Sequence, residues 1–215
     1  VNEVLSSSEQ FVEKYQKPLL VTVLIIILVV AGFLSVRHFY FQPREVKAQA
    51  AMYKGEIYFA KDSFELALKG NGADFVGFEA IADDYSSTKA GNLAAAYAGI
   101  CYYNLGKDAE ALAYLKKFDG DDAFLSPNIE AMIGNCYANM DQYDDAIKAF
   151  EKAAKKADNE MASPIFLQKA ATVAEKMGNY KKALDFYQKI KDEYSQSMIG
   201  RDIDKYIERA KAHVK

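Results

Sequence analysis

Residues 99–118, GICYYNLGKDAEALAYLKKF, are echoed 35 positions later by residues 134–153, GNCYANMDQYDDAIKAFEKA. Gly99 answers Gly134, Cys101 answers Cys136, Tyr102 answers Tyr137 and Ala111 answers Ala146. A third copy runs through Ala171, Ala174, Gly178, Tyr180, Ala183, Tyr187 and Ile190, with Ala183 37 residues after Ala146. A poorer, earlier copy has Gly55, Tyr58, Phe64 and Ala67. Because 44 residues separate Ala67 from Ala111, that copy has room for an insertion near 69–75, around Gly70-Asn71-Gly72. Self-similarity at a period of about 35 residues predicts stacked helical hairpins, and so an all-α chain.

Each hairpin is expected to pack through its small residues. Gly99, Gly134 and Ala171 let the first helix (A) approach the second (B), and Ala111, Ala146 and Ala183 do the same from helix B. Tyr102, Tyr137, Tyr143 and Tyr180 fill the space left between them. Gly106 and Gly178 suit the sharp turn from A to B, where a left-handed residue is cheap only for glycine. Ser126-Pro127 and Ser163-Pro164 read as a helix cap followed by proline at the first helical position. After Tyr194, the residues Ile199, Ile203, Tyr206, Ile207 and Ala210 keep helical spacing among charges, which predicts a capping helix at about 198–213.

These residues resemble the tetratricopeptide-repeat family over roughly Ala48 to Tyr194. Its pattern places Leu-Gly and Tyr in helix A, then Ala, Phe and Ala in helix B. Departures are Asp108 where an aromatic is usual, Asp141 in a turn where glycine is usual, and the absence of tryptophan.

Upstream the chain changes character. From Pro18 to Val36 no residue is charged, and the run is dominated by Leu, Ile and Val. Nineteen residues at about 1.5 Å each span roughly 28 Å, the thickness of a bilayer's hydrocarbon core. Phe11 and Tyr15 precede the run and Phe39, Tyr40 and Phe41 follow it, where an aromatic belt would sit. Three Glu against two Lys precede it and Ala31-Gly32-Phe33 is a poor cleavage site, so it reads as a retained transmembrane helix rather than a signal peptide. The expected organisation is therefore a juxtamembrane segment at 1–17, a transmembrane helix with interfacial aromatics at 18–41, and a repeat domain of about four hairpins at 42–215. Lys14 and Lys17 lie before the helix and Arg37, Arg44 and Lys47 after it, so the positive-inside count leans by one residue toward a cytoplasmic repeat domain.

Net charge is −3, and the residues from Arg44 onward carry 24 basic against 27 acidic side chains with no basic run. Nucleic acid is thus a poor partner, since binding it needs clustered Lys and Arg. Two histidines, His38 and His213, and two cysteines, Cys101 and Cys136, offer neither metal-ligand spacing nor a disulfide framework. Acidic pairs such as Asp83-Asp84 and Asp144-Asp145 are adjacent and cannot converge on one helix face. No cofactor, metal or catalytic group is expected, and the chain reads as a scaffold rather than an enzyme.

The working surface is expected on the outward positions of the A helices. In register these are Leu93, Ala96, Ile100, Tyr103 and Asn104, then Asn128, Ala131, Asn135, Ala138 and Asn139, then Ile165, Gln168, Thr172 and Glu175. Amide side chains there could offer a donor and an acceptor to an extended peptide's backbone.

One N-terminal transmembrane helix followed directly by tetratricopeptide repeats is similar to the bacterial ancillary Sec-translocon subunit family. The likeness rests on the anchor at Pro18–Val36, on Lys47–Phe59 leading into the first hairpin, and on Phe78–Tyr85 with Thr88–Ala94 before the best repeat. It implies a single-pass inner-membrane protein with its repeats in the periplasm, partnered by SecYEG and a membrane-anchored periplasmic chaperone. Other scaffolds stay open at this point: an assembly factor of a secretion, motility or cell-wall machine, or a cytosol-facing adaptor.

Overall fold

The computed structural model describes residues 7–214, with side chains from residue 15 onward. Phe11, Lys14 and the three N-terminal glutamates, on which part of the juxtamembrane reading rests, lie outside the residues whose side chains are described. Every regular element among the described residues is helical. The chain divides into two compact units, Val1–Lys47 and Ala48–Lys215.

The first unit is dominated by α1 (Ser7–Val36), followed by a π-helical turn at Arg37–Phe41 and the start of α2 (Gln42–Phe59). Pro18 lies inside α1. Within this unit, Leu19 through Leu34 leave their Leu, Ile and Val side chains about half exposed. The core helix of a soluble protein would bury such a surface, because exposed apolar area on this scale is costly in water. Thr22 and Ser35 return their hydroxyls to Pro18 O and Ala31 O, at 2.9 and 2.8 Å, so neither leaves an unsatisfied donor on the helix surface.

The second unit is a row of hairpins. After α2 come α3 (Phe64–Lys69), α4 (Phe78–Asp84), α5 (Lys89–Asn104), α6 (Asp108–Leu115), α7 (Leu125–Asn139), α8 (Tyr143–Ala157), α9 (Ser163–Lys176) and α10 (Tyr180–Glu193). Two short helices, α11 (Met198–Arg201) and α12 (Asp204–Lys211), close the chain. Successive helices pack on one another, α5 on α6, α7 on α8 and α9 on α10, while α8 against α9 and α6 against α7 join the hairpins.

The turn from A to B is built identically four times. Asp62, Gly106, Asp141 and Gly178 adopt the left-handed conformation at φ of 54°, 72°, 59° and 74°. One residue on, the N–H of Ser63, Lys107, Gln142 and Asn179 donates back to Tyr58, Tyr102, Tyr137 and Ala174, each at 2.9 Å. This 6→1 bond is the Schellman closure, which pairs a carbonyl the helix end would otherwise leave free. Aspartate substitutes for glycine twice because its short polar side chain tolerates this region better than most.

Close approach explains the helix A glycines. A Cβ on Gly99 would stand 2.6 Å from Leu115, and one on Gly134 would stand 2.8 Å from the Phe150 ring. Ala111, Ala146 and Ala183 on the B helices are fully buried.

Helix B of the first hairpin is broken. Gly70–Gly77 forms a compact loop in which Asn71 Oδ1 accepts from the N–H groups of Ala73, Asp74 and Phe75, each at 3.1 Å. Phe75, only 4 % exposed, is turned inward beneath Gly55. Excising those eight residues from the 44 between Ala67 and Ala111 leaves 36, within the period of the later hairpins. We therefore read α3 and α4 as two halves of one B helix.

Where α4 ends, Thr88 Oγ1 donates to Tyr85 O at 2.7 Å and accepts from Gly91 N at 2.9 Å. Ser197 repeats this after α10, with Tyr194 O at 2.7 Å and Gly200 N at 2.9 Å. The sequences Tyr85-Ser-Ser-Thr-Lys-Ala-Gly91 and Tyr194-Ser-Gln-Ser-Met-Ile-Gly200 thus encode one turn used twice.

Two expectations are corrected. Ser126 and Ser163 do not cap their helices, because each lies within the first turn and is buried at 1 % and 0 %. Asp122 takes the capping role for α7, accepting from Phe124 N at 2.9 Å and from Leu125 N. Asn159 does so for α9, accepting from Met161 N and Ala162 N at 3.0 and 2.8 Å. Ser163 instead ties α9 to the preceding B helix by donating to Ala154 O at 2.8 Å. The single capping helix read at 198–213 is split into α11 and α12, since Asp202 breaks the helical run just before Ile203 turns into the core.

Candidate partner-binding surface

The A helices α5, α7 and α9 carry the predicted surface. An α-helix turns 100° per residue, so positions 128, 131, 135, 138 and 139 of α7 form one stripe. Asn104, Asn128, Asn139, Ile165 and Thr172 are exposed; Leu93, Ile100, Tyr103, Asn135, Ala138, Gln168 and Glu175 are half-buried. Ala96 and Ala131, placed outward by the register, are buried at 1 % and 5 % in the two apolar cores, because a methyl group there is enclosed by the neighbouring helices.

The amides are occupied within the fold. Asn104 donates to Ile100 O and Asn128 to Phe124 O, at 2.8 and 2.7 Å, both back-bonds along their own helices. Thr172 does the same to Gln168 O at 2.9 Å. Asn139 reaches across to Asp108 Oδ1 at 3.0 Å, with Tyr103 beside it. A peptide reaching these groups must therefore exchange one hydrogen bond for another, which lowers the net gain from each.

Lys169 was not legible as part of this surface. It lies in the α7–α9 step, donating to Asn135 Oδ1 at 3.0 Å, with its ammonium 5.6 Å from the Phe150 ring centre. Burial lowers its pKa below the usual lysine range, as expected of a partly desolvated ammonium. Among the described residues it makes no ion pair. Only its spacing of 34 residues from Asn135 hinted at the contact, and lysine is too common for that to stand out. At the end of the row Glu175 receives Arg209 of α12 at 2.7 Å, so one of its oxygens is engaged within the fold rather than free to a groove.

Cys101 and Cys136 are free and buried, and burial pushes both thiols up to about 12. A protonated, enclosed thiol is a poor nucleophile. Among the described residues no three His, Cys, Asp or Glu side chains converge as a metal site.

Three segments match tetratricopeptide-repeat family models: residues 97–119, 131–160 and 167–197. The crystal structure of MamA protein superposes with a TM-score of 0.55 at 19 % identity, covering 77 % of this chain and 87 % of that one. At that identity the likeness concerns the fold alone. No curated protein sequence matches significantly. The repeats are of the tetratricopeptide type, a fold that serves as a protein–protein interaction scaffold and typically carries no catalysis.

Proposed function

We propose that the chain is a bilayer-anchored scaffold, an ancillary subunit of the SecYEG export channel that works with a membrane-anchored periplasmic chaperone on emerging proteins. The observation that carries the anchored half of this reading is α1: its long uncharged, apolar run leaves its Leu, Ile and Val side chains exposed among the described residues. Such a helix is long enough to cross a bilayer, where its exposed Leu, Ile and Val side chains are at their most stable. The translocon half is supported by the order of parts, one apolar helix running straight into tetratricopeptide repeats. Asn135, Lys169, Tyr103 and Asn139 place polar groups on the A-helix face, each of which a bound peptide would engage by exchanging an existing contact.

Purification of the full chain in mild detergent, with partners identified by mass spectrometry, tests the partner. SecY should be enriched. Its absence beside enrichment of a secretion, motility or cell-wall complex would replace the reading with an assembly scaffold of that complex.

The positive charges of Arg37, Arg44 and Lys47 favour a second reading, a cytosol-facing adaptor. Protease treatment of intact spheroplasts separates the two. Digestion of the repeats before lysis supports the periplasmic side, and digestion only afterwards assigns them to the cytosol.

A further inference from the structure

The opposite side of α7 holds a second surface that the A-helix reading does not use. A cleft of about 320 Å³ opens between the end of α6, α7 and α8. Its lining from α7 includes Ile129, Ile133 and Tyr137, which by helical rotation lie roughly 100–180° from the stripe of Asn128, Asn135 and Asn139. Phe118, half-buried, completes an apolar floor.

The rim is basic. Lys148, Lys152 and Lys156 repeat every fourth residue along α8, and Lys116 faces them from beyond α6. Two carboxylates share this space. Glu130, 12 % exposed at its side chain, takes Lys152 at 2.5 Å and Lys156 at 3.6 Å. Asp145 takes Lys148 at 3.1 Å in an exposed pair within one helix turn, a solvent-screened contact that is easily exchanged. Lys116 sits 5.0 Å from the Tyr137 ring centre and makes no ion pair among the described residues. Four ammonium groups of the lining thus face its two carboxylates, with Asp144 also acting on Lys148 from outside it, in a chain whose net charge is −3.

We propose that this cleft docks an acidic segment of a partner protein, which seats one apolar side chain on Ile133 and Phe118 and lays carboxylates against Lys116 and Lys148. The proposal rests on the repeats being a protein-binding scaffold. A free inorganic anion would leave the apolar floor unused. A purely apolar peptide would leave the surplus lysines unmatched. An acidic, partly apolar segment satisfies both, with the charges setting orientation and encounter rate and the apolar contact holding the complex.

The test uses the full chain in detergent and a short fluorescein-labelled peptide of alternating glutamate and leucine, read by fluorescence anisotropy. Saturable binding is expected, weakened by added salt and by at least about tenfold in the K116E/K148E variant. Both lysines are solvent-exposed, so the variant should melt as the parent does, and circular dichroism checks that it does. Equal binding of a lysine–leucine peptide, or equal affinity of the K116E/K148E variant, overturns the proposal. So does loss of binding to phosphatidylglycerol vesicles in that variant without any peptide binding, which would make the rim a lipid contact. The A-helix reading fails by a separate experiment on separate residues, the co-purification with Asn135 and Asn139 replaced.

Discussion

The Tyr102 hydroxyl of α5 donates to Glu79 Oε1 of α4 at 2.8 Å, so the interrupted first hairpin is locked to the second by a buried-edge polar bond. Around it the Tyr114 hydroxyl reaches the same oxygen at 3.2 Å and Asp83 at 3.2 Å, Lys69 bonds the other Glu79 oxygen, and Lys117 bonds Asp83 at 2.7 Å. Burial pushes the Glu79 carboxyl up, but the bonds from Lys69 and Tyr102 outweigh it and hold the group below its usual range.

That direction fixes the sign of a pH effect. A carboxyl depressed in the folded state stabilises above its unfolded pKa, near 4.3, and loses that contribution as pH falls through the folded value. Glu79→Gln should lower stability by about 1–3 kcal/mol at neutral pH. The gap between variant and parent melting temperatures should close as pH drops below about 4. A gap that stays constant down the acid range would deny Glu79 its role as a charged acceptor.

The glycines separate conformational from steric cost. At Gly106 an added methyl meets nothing within 4 Å, so Gly106→Ala pays only for the left-handed backbone, about 1–2 kcal/mol. At Gly91 and Gly200 a Cβ would stand 2.0 and 2.1 Å from the Tyr85 and Tyr194 carbonyl oxygens, which are backbone and cannot swing away. Gly91→Ala and Gly200→Ala should each cost more than Gly106→Ala in denaturant titration, and Gly200→Ala should expose the terminal helices to limited proteolysis first. The reverse ranking would contradict the repeated turn.

Ala146, fully buried against α7, makes the overpacking case. Ala146→Leu should cost about 1–3 kcal/mol, seen as a lower melting temperature. An unchanged transition would mean that the hairpin register is wrong.

Replacing Asn135 and Asn139 by Ala removes the Lys169 and Asp108 contacts while leaving the apolar core untouched. Partner capture in co-purification should fall about tenfold, the effect of roughly 1.4 kcal/mol, with the helical circular dichroism retained. Undiminished capture would move the working surface off the A helices.

The two thiols give a readout of opening. With both buried and held near pKa 12, Cys101 and Cys136 should react with an aromatic disulfide reagent only as fast as the hairpins unfold. Immediate reaction in native buffer would place them at the surface.

The spacing of Gly99, Gly134, Ala111 and Ala146 determined the repeat by itself, because close packing of two helices tolerates only small residues where they cross. The uncharged run from Pro18 to Val36 likewise marked a helix fit for a bilayer, since length and composition are what a hydrocarbon slab selects. Two things needed the tertiary structure. The repeat register placed Asp141 in a turn, but Asp62 could be seen as its counterpart, and both as left-handed, only once their φ was known, since aspartate is common elsewhere. The polar surfaces were the less legible part: Lys169 meeting Asn135, Glu79 gathering Tyr102 and Tyr114, and the four lysines around Ile133. Each joins residues about 15–40 positions apart through the ends of long side chains. Periodicity reports which residues share a face, whereas the pairing of charged ends across hairpins is set by the angle and distance at which whole helices stack.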